Sequence, residues 1–234
     1  MPRSPPSPNQ LLASLSTGNF ERLRPFLKNF ELVYGAVLFE AGDTINRVFF
    51  PHSGVISLVV SLDNGDLIET AMIGRDGVAG ASSALDGRTS MSNAIVQLPG
   101  TASVLEVERL RAIADEDRAF RSLLIRHEQV LFAQAQQSAA CNASHSIEAR
   151  MCRWLLRLRD LADSDELLIT QEFLGQMLGV RRSSVSLVAS TLQTAGLINY
   201  RRGHLRITDL QGLRGASCEC YAAVKAHYGY LKKR

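Results

Sequence analysis

A stretch of 28 residues without glycine or proline, residues 116–143, separates two parts of this sequence that differ in character. Short apolar runs alternate with turn-forming residues before it, and apolar residues recur at helical spacing after it. Because glycine and proline are common in turns and disfavoured inside helices, the stretch predicts one long helix between two smaller domains. A length of 234 residues also favours more than one domain.

Residues 20–108 have the pattern of a β domain. Runs such as RVFFPHSGVISLVVSL and NAIVQLPG are separated by turn signals, of which the clearest is the segment DNGD at 63–66. An Asn-Gly pair accepts the positive φ angles of a tight hairpin. Many short strands with such turns predict a β barrel or a double-sheet jelly roll, so the predicted fold class is α+β.

The long helix carries an apolar stripe. Leu124 and Leu131 are one heptad apart, and we predict a dimer seam through Phe120, Leu124, His127 and Leu131. The alternative is a helix that packs wholly on its own barrel. A histidine in the seam could make the dimer sensitive to pH, but we prefer to interpret His127 as an ordinary core histidine.

The C-terminal third of the chain is basic. Residues 145–234 contain 14 Lys and Arg against 8 Asp and Glu, whereas residues 1–144 contain 12 against 15. Such an asymmetry is typical of an attached module that binds a polyanion, although scattered surface charge is the alternative. In IEARMCRWLLRLRDLA, an arginine row (Arg150, Arg153 and Arg157) follows one helix face and would contact phosphates or solvent.

The segment TQEFLGQMLGVRRSSVSLVASTLQTAGLI, residues 170–198, predicts two short helices joined by a turn. Thr170 can cap the first helix and Gly179 can end it in a left-handed conformation. The second helix runs to about Ala195. One side of it collects small side chains, an isolated leucine and an arginine instead of the usual Lys and Glu: Arg182, Ser183, Ser186, Leu187 and Ser190. Small side chains permit a helix to sit deep in a major groove, where Arg pairs with guanine and Leu contacts a thymine methyl.

The next segment, LINYRRGHLRITD, predicts a hairpin that turns at Arg202-Gly203. Arg201, Arg202 and Arg206 would project from it toward backbone phosphates, as the wing of a winged helix-turn-helix does. Two helices, a glycine turn and a basic hairpin in this order make a strong signal for DNA binding.

At this point the sequence resembles the Crp/Fnr family of bacterial transcription regulators. ITQEFLGQMLGVRRSSVS resembles its winged helix-turn-helix signature, HSIEARMCRWLL resembles the helix leading into it, and VFFPHSGVISLVV with DNGDLIETAMIG and GVAG resembles its cyclic-nucleotide-binding-type barrel. The similarity covers nearly the whole chain. We expect an N-terminal extension at 1–19, a sensor barrel at 20–109, a dimerisation helix region at 110–144 and a winged helix domain at 145–234.

The resemblance implies specific DNA contacts. The base-reading positions of the family fall on Arg182, Ser183 and Leu187, and Ser186 faces the same way. Because the family commonly has Glu and Arg at the latter two base-reading positions, we expect a different half-site. The predicted phosphate contacts are Arg181, Ser190, Arg201, Arg202 and Arg206. Arg181 stands where the family often has a Ser or Thr cap.

The sensor residues depart from the family pattern. In members that bind cyclic AMP, a Gly-Glu begins the phosphate cassette and an Arg-Ser closes it, whereas this sequence has Gly80-Ala81 and Met91-Ser92. Each lost charge-assisted hydrogen bond costs about 1.5–3 kcal/mol of binding free energy. We therefore predict a degenerate effector pocket without response to cyclic AMP, although Arg88 could substitute if the loop is shifted. The effector stays unidentified, and the protein could need none.

No catalytic residues and no metal site are predicted. The first of four cysteines is Cys141, so the N-terminal cysteine group of iron–sulfur members is missing. His52 is a lone histidine in a turn, and we interpret it as structural and not as an axial haem ligand. A cupin-type enzyme would need clustered metal ligands, and no two histidines or carboxylates pair at ligand spacing. Cys218 and Cys220 are interpreted as two surface cysteines, with a thiol switch or metal contact as the alternative.

The sequence as a whole predicts a homodimeric regulator that binds double-stranded DNA. RNA polymerase is a further predicted partner, and no cofactor is expected. The N-terminal MPRSPPSPNQ has no apolar segment typical of a secretory signal, and its proline cluster predicts a disordered lead-in, so we expect a cytoplasmic protein. The alternative function is a small-molecule-sensing or scaffold protein whose winged helix binds a protein partner.

Overall fold

Seven strands form the N-terminal β domain in the computed structural model, which describes residues 7–231. They are β1 (Lys28–Leu32), β2 (Val37–Phe39), β3 (Arg47–Pro51), β4 (Val55–Ser61), β5 (Leu67–Ile73), β6 (Asn93–Leu98) and β7 (Gly100–Glu106). One sheet has the order β1-β7-β3 and the other β2-β6-β4-β5. Alternating residues such as Val48, Phe50 and Ile56 are buried in the core. The predicted double-sheet fold is confirmed.

The predicted Asn-Gly turn joins β4 to β5. Gly65 has a φ angle of 86°, and the Leu62 amide donates a hydrogen bond of 2.9 Å to the Asp66 carbonyl. Only glycine adopts this left-handed conformation without strain, so the turn fixes the register of the hairpin.

The described residues before β1 are mainly helical, and they belong to the β domain. They form α1 (Gln10–Ala13), α2 (Thr17–Leu23) and a 3-10 turn (Arg24–Phe26), so the expectation of β structure from residue 20 onward is wrong for residues 20–26. Asn9 is fully buried, and its side-chain amide donates to the carbonyls of Pro51 and Gly77 at 2.9 Å. The predicted disordered lead-in falls largely on residues 1–6, outside the described range.

Two helices follow the β domain instead of one. α3 (Val107–Glu116) ends one residue before α4 (Arg118–Ser144) begins. Asp117 interrupts them, because its carboxylate accepts hydrogen bonds from the amides of Ala119 and Phe120 and so caps α4. A hydrogen bond from the Asn19 side chain, with that of the Phe120 amide, lowers the pKa of Asp117. The predicted long helix is confirmed, and its start is set by this cap.

The C-terminal part alternates helices with a small sheet. Its elements are α5 (Ile147–Ala162), β8 (Glu166–Leu168), α6 (Gln171–Leu178), α7 (Arg182–Thr194), β9 (Ile198–Arg201), β10 (His204–Ile207), α8 (Leu210–Ala216) and α9 (Cys220–Leu231). The described residues divide into two compact units, one made of 7–58, 72–132 and 228–231, the other of 59–71 and 133–227. None of the helices within residues 7–231 combines the length and apolar character needed to cross a membrane.

Candidate DNA-binding surface and effector cavity

The helix-turn-helix forms as its local sequence dictates. The Thr170 hydroxyl accepts a hydrogen bond of 3.1 Å from the Phe173 amide and so caps α6. Gly179 ends α6 with a φ angle of 62°. Gly175, which the sequence analysis did not single out, is also required, because a Cβ atom there would lie 2.8 Å from the Val180 carbonyl oxygen. A cap therefore fixes the start of α6, and two glycines permit the turn between α6 and α7.

We expect Thr170→Ala to lower the free energy of unfolding by about 1 kcal/mol, because the α6 amide would lose its cap. Chemical denaturation with urea measures the change. Thr170→Ser is the matched control, since its hydroxyl can accept the same bond and the stability should stay within a few tenths of a kcal/mol. Equal losses in both variants would show that the methyl group, and not the cap, stabilises this position.

α7 has one buried side and one exposed side. Val185, Ala189 and Leu192 are buried in the domain core, while Leu187 is 71% exposed. Leu187 therefore lies on the exposed side of α7, opposite the residues that pack in the core.

Most of the predicted base-contacting residues lie on the exposed side. Ser183 is exposed there, and the side chain of Arg182 is 68% exposed with its Nε 4.0 Å from the Glu172 carboxylate. Ser190, a predicted phosphate contact, is also exposed on this side. Ser186 is half-buried, because its hydroxyl donates a hydrogen bond of 2.6 Å to the Gln171 side chain. Ser186 therefore already has a hydrogen-bond partner within the domain and is less exposed than the other predicted contact residues on this side of α7.

Arg181 occupies the position before α7. It is exposed and makes no side-chain capping bond. α7 therefore begins at Arg182 without the Ser or Thr cap that is common in the Crp/Fnr family. An uncapped helix N-terminus leaves amide groups and a partial positive charge that can meet an anion. Arg181 and the start of α7 therefore present the charge that a phosphate requires.

The predicted basic hairpin is β9 and β10. Arg202 and Gly203 form its turn with φ angles of 50° and 82°, and Arg201, Arg202 and Arg206 are all exposed. The short strand β8 pairs with β10, which makes a three-stranded sheet that the sequence analysis did not predict. Tyr200, whose pKa is raised to about 12 by burial, donates its hydroxyl to the Ile169 carbonyl at 2.7 Å. The hairpin is therefore fixed to the start of the helix-turn-helix.

The arginine row on α5 is neither a solvated face nor a phosphate-binding face. Arg150, Arg153 and Arg157 are each only 7% exposed. The Arg150 guanidinium donates a hydrogen bond to the carbonyl of Leu178, the last residue of α6, where a cation meets the negative end of the helix. Both surface interpretations of the row are wrong, and its arginines do not add to the exposed charge of this domain.

The β domain contains a cavity of about 290 Å³ where an effector would bind in a sensor barrel. Gly80, Met91 and Ser92 line it, whereas Ala81 is fully buried and Arg88 is not among the lining residues. Arg88 instead lies 3.5 Å from the Glu108 carboxylate. None of the lining residues, all within the described range, is a cation, and one of them is the acidic Glu128. The lining therefore offers a phosphate hydroxyl groups but no positive charge.

The two histidines singled out in the sequence, one for pH sensitivity and one for haem, both have partners within the protein. His127 is fully buried and its Nε2 accepts a hydrogen bond of 3.1 Å from the Val78 amide, which confirms the core interpretation. His52 lies 2.8 Å from the Ser103 hydroxyl, and burial lowers its pKa. Each ring already has a protein partner.

Comparisons with known proteins agree with this geometry. A model of the cyclic nucleotide-binding domain matches residues 30–117, and a model of the Crp-like helix-turn-helix domain matches residues 149–216, together about two thirds of the chain. The chain belongs to the Crp/Fnr family. Its members are transcription regulators, and the present one carries their helix-turn-helix DNA-binding domain.

Solved Crp/Fnr structures have the same fold. FixK2 from Bradyrhizobium japonicum is 17% identical with a TM-score of 0.71, and the match covers 82% of this chain and 98% of that one. A CRP/FNR-family regulator from Thermus thermophilus is 19% identical with a TM-score of 0.67, covering 81% and 98%. The c-di-GMP-responsive regulator CLP of Xanthomonas campestris is 16% identical, also with 0.67, covering 83% and 100%. No curated protein sequence matches.

Crp/Fnr regulators commonly dimerise. The residues of the predicted dimer seam, however, are already buried within the single chain. Phe120, Leu124, His127 and Leu131 are between 0% and 8% exposed within the single chain. The heptad stripe was identified correctly as apolar, and it faces the interior of its own chain. The exposed apolar residues of α4 lie on another side, with Ile125 42% and Phe132 66% exposed.

The interpretation of Cys218 and Cys220 as surface cysteines is wrong. Cys220 is 0% and Cys218 is 7% exposed, and both pack against Cys141 in one buried cluster. Burial raises the pKa of the Cys218 thiol to about 12 and also raises the pKa of Cys141. Cys152 lies apart from that cluster, and burial raises its pKa to about 12 as well.

Proposed function

We propose that this Crp/Fnr regulator acts as a homodimer on a pseudo-palindromic DNA site. Two copies of α7 would enter successive major grooves, about 34–36 Å apart. The observation that carries this proposal is the exposed side of α7, where small side chains, Leu187 and Arg182 lie next to a fixed hairpin with three exposed arginines. Base edges would meet α7, and backbone phosphates would meet the hairpin.

The proposed dimer seam follows the exposed apolar side of α4. Ile125, Phe132 and Ala139 recur every seven residues, and all three are exposed. Gln129 and Gln136 lie between them on the same side, so the seam would be partly polar. A heptad spacing of apolar residues on a long helix is what two parallel helices need to pack along their length.

We further propose that the barrel does not respond to cyclic AMP. A cavity with Glu128 and no cation on its lining favours a neutral or cationic effector over a cyclic phosphate. One family member is described as c-di-GMP-responsive, so the fold does not commit a member to cyclic AMP.

Titration calorimetry of the purified protein with cyclic AMP, and separately with cyclic GMP, is expected to give no saturable heat. The reason is the loss of the two charge-assisted hydrogen bonds that Ala81 and Met91 cannot supply. Saturable binding that Arg88→Ala removes would show that Arg88 replaces the missing arginine, and it would overturn the proposed insensitivity.

Selection of bound sequences from a random duplex pool, at moderate salt and without added ligand, tests the DNA-binding proposal. Recovery of an inverted repeat would support a dimer that reads DNA without effector. If no sequence is enriched, the selection is repeated with the cell extract's small-molecule fraction, and continued failure would contradict DNA reading in favour of a protein partner. Binding to RNA polymerase, a cytoplasmic location and a role without enzymatic activity remain predictions that accompany this proposal.

A further inference from the structure

Four metal-binding side chains from two distant segments meet near the start of the helix-turn-helix domain. They are Cys141, His145, Cys218 and Cys220, here called the cysteine–histidine cluster, and their ligand atoms all lie within 4.8 Å of one another. The Sγ atoms of Cys141 and Cys218 are 3.5 Å apart across 77 residues of sequence. Cys220 Sγ lies 3.6 Å from His145 Nδ1.

Each half of the cluster has a local structural origin. Cys141 and His145 are four residues apart at the end of α4, so their side chains share one face, and the His145 amide donates to the Cys141 carbonyl to continue the last turn. Cys218 and Cys220 flank Glu219 where the chain passes from α8 into α9. Two pairs of ligands held by regular backbone thus converge on one point.

Two of the ligand-atom separations match a single tetrahedral ion, and all of them lie within 4.8 Å. Zinc binds thiolate sulfur at about 2.3 Å and imidazole nitrogen at about 2.0–2.1 Å, which places neighbouring ligand atoms about 3.6–3.8 Å apart. The separations of 3.5 Å and 3.6 Å agree with this geometry. A cluster of several irons and sulfides would occupy more space and would hold its thiolates further apart.

The surrounding residues complete the arrangement. The Nε2 atom of His145 lies 3.2 Å from the Glu219 carboxylate, so this carboxylate can hold the proton on Nε2 and leave the lone pair of Nδ1 for a metal. The Gln137 side-chain amide donates to Cys220 Sγ at 3.0 Å, a bond that stabilises a thiolate. Carboxylate support of a ligating histidine is the usual outer shell of zinc sites.

Burial raises the pKa of Cys141 and Cys218, and the positive charge of nearby arginines acts against this effect at Cys141. Zinc with three thiolates and one neutral imidazole carries a net charge of about −1. Arg153 interacts electrostatically with Cys141, and Arg150 interacts with Cys141 and Cys218. These members of the arginine row are buried, and a negative site beside them would offset the cost of burying their charge.

We propose that Cys141, His145, Cys218 and Cys220 bind one zinc ion in a closed structural site. The ion would join the end of α4 to the segment between α8 and α9, next to Ser146, which caps α5. With four protein ligands it leaves no open position for substrate, so its role is to fix the backbone of this region. The proposal does not depend on which DNA site, if any, the protein reads.

The test uses the full chain without a histidine tag, purified under reducing conditions from cells grown with ample zinc. Elemental analysis is expected to find one zinc per chain. Cys141→Ser and Cys218→Ser should each retain less than a tenth of it, whereas His145→Cys should keep the ion because a fourth thiolate can replace the imidazole. Cys152→Ala is the matched control, since this buried cysteine lies outside the cluster, and it should keep the full zinc content.

Reconstitution keeps the proposal testable even if a variant fails to fold. The wild-type protein is stripped with a chelator and titrated with Co²⁺, which should give the visible bands of a tetrahedral thiolate site at one equivalent and should be displaced by Zn²⁺. Iron with acid-labile sulfide in the purified protein, a disulfide between Cys141 and Cys218, or the absence of any stoichiometric uptake would each overturn the zinc site.

Discussion

Replacement of Arg182 by alanine is expected to weaken binding to the selected DNA site by about 5- to 100-fold and to relax specificity at one base position. The side chain is 68% exposed at the first residue of α7, where a recognition helix meets the base edges. A bidentate contact between Arg and guanine contributes about 1–3 kcal/mol of discrimination. Competition binding against duplexes with every base at each position measures the change.

Arg201→Ala is the comparison for that experiment, because the same side chain is removed from the hairpin and not from α7. It should weaken binding to specific and random DNA alike and lower the slope of log affinity against log salt by about 1. Arg24→Ala, at an exposed arginine of the β domain, is the control for the loss of one positive charge. Equal losses on specific and random DNA for both Arg182→Ala and Arg201→Ala would refute the proposed division between base reading and phosphate contact.

The double substitution Ile125→Asp and Phe132→Asp is expected to convert the protein to a monomer. Four carboxylates would then face each other along the proposed seam of two chains, where apolar contacts are needed. Because a monomer engages one half-site only, affinity for the selected inverted repeat should fall at least about 100-fold toward non-specific binding. Sedimentation velocity and DNA titration measure the two effects on the same sample.

Ala119→Asp is the matched control for this helix. Ala119 is exposed on α4 but lies about 120° around the helix from Ile125, away from the proposed seam. This variant should remain dimeric with unchanged affinity. A double variant that stays dimeric would contradict the seam, and a monomeric protein that keeps full affinity for the inverted repeat would contradict the need for a dimer.

The helix-turn-helix could be predicted residue by residue because its signals are local. Thr170 caps a helix through an amide three residues away, and Gly179 ends the same helix through its own φ angle. The Arg202-Gly203 turn similarly depends on two adjacent residues. Such features need no knowledge of the rest of the fold, and each was found where the sequence predicted it.

The face of α4 could not be predicted in the same way. A heptad of apolar residues predicts that one side of a helix is covered, but the pattern is the same whether the cover is its own β domain or a second copy. Leu124 and Phe132 both belong to apolar stripes, and only the fold distinguishes the buried residue from the exposed one. The prediction that the arginine row is exposed was wrong for a related reason. A buried guanidinium requires partners from other elements, which the sequence pattern of one helix does not reveal.

The cysteine–histidine cluster was beyond sequence reasoning because its halves are far apart in the chain. A Cys-x-Cys pair alone is a weak signal, and the helical pair of Cys141 and His145 gives no hint of a partner 77 residues away. The i, i+4 spacing of Cys141 and His145 was present in the sequence. It becomes informative only when Cys218 and Cys220 are placed beside it.

The bond from the Tyr200 hydroxyl to the Ile169 carbonyl has a thermodynamic consequence for regulation. Together with the pairing of β8 and β10, it makes the hairpin and the helix-turn-helix one preorganised body before any ligand arrives. Little ordering entropy is then lost within each DNA-binding domain on association, which favours affinity. An effector that changes DNA binding would consequently act on the distance between the two DNA-binding domains of the proposed dimer and not on the folding of either domain.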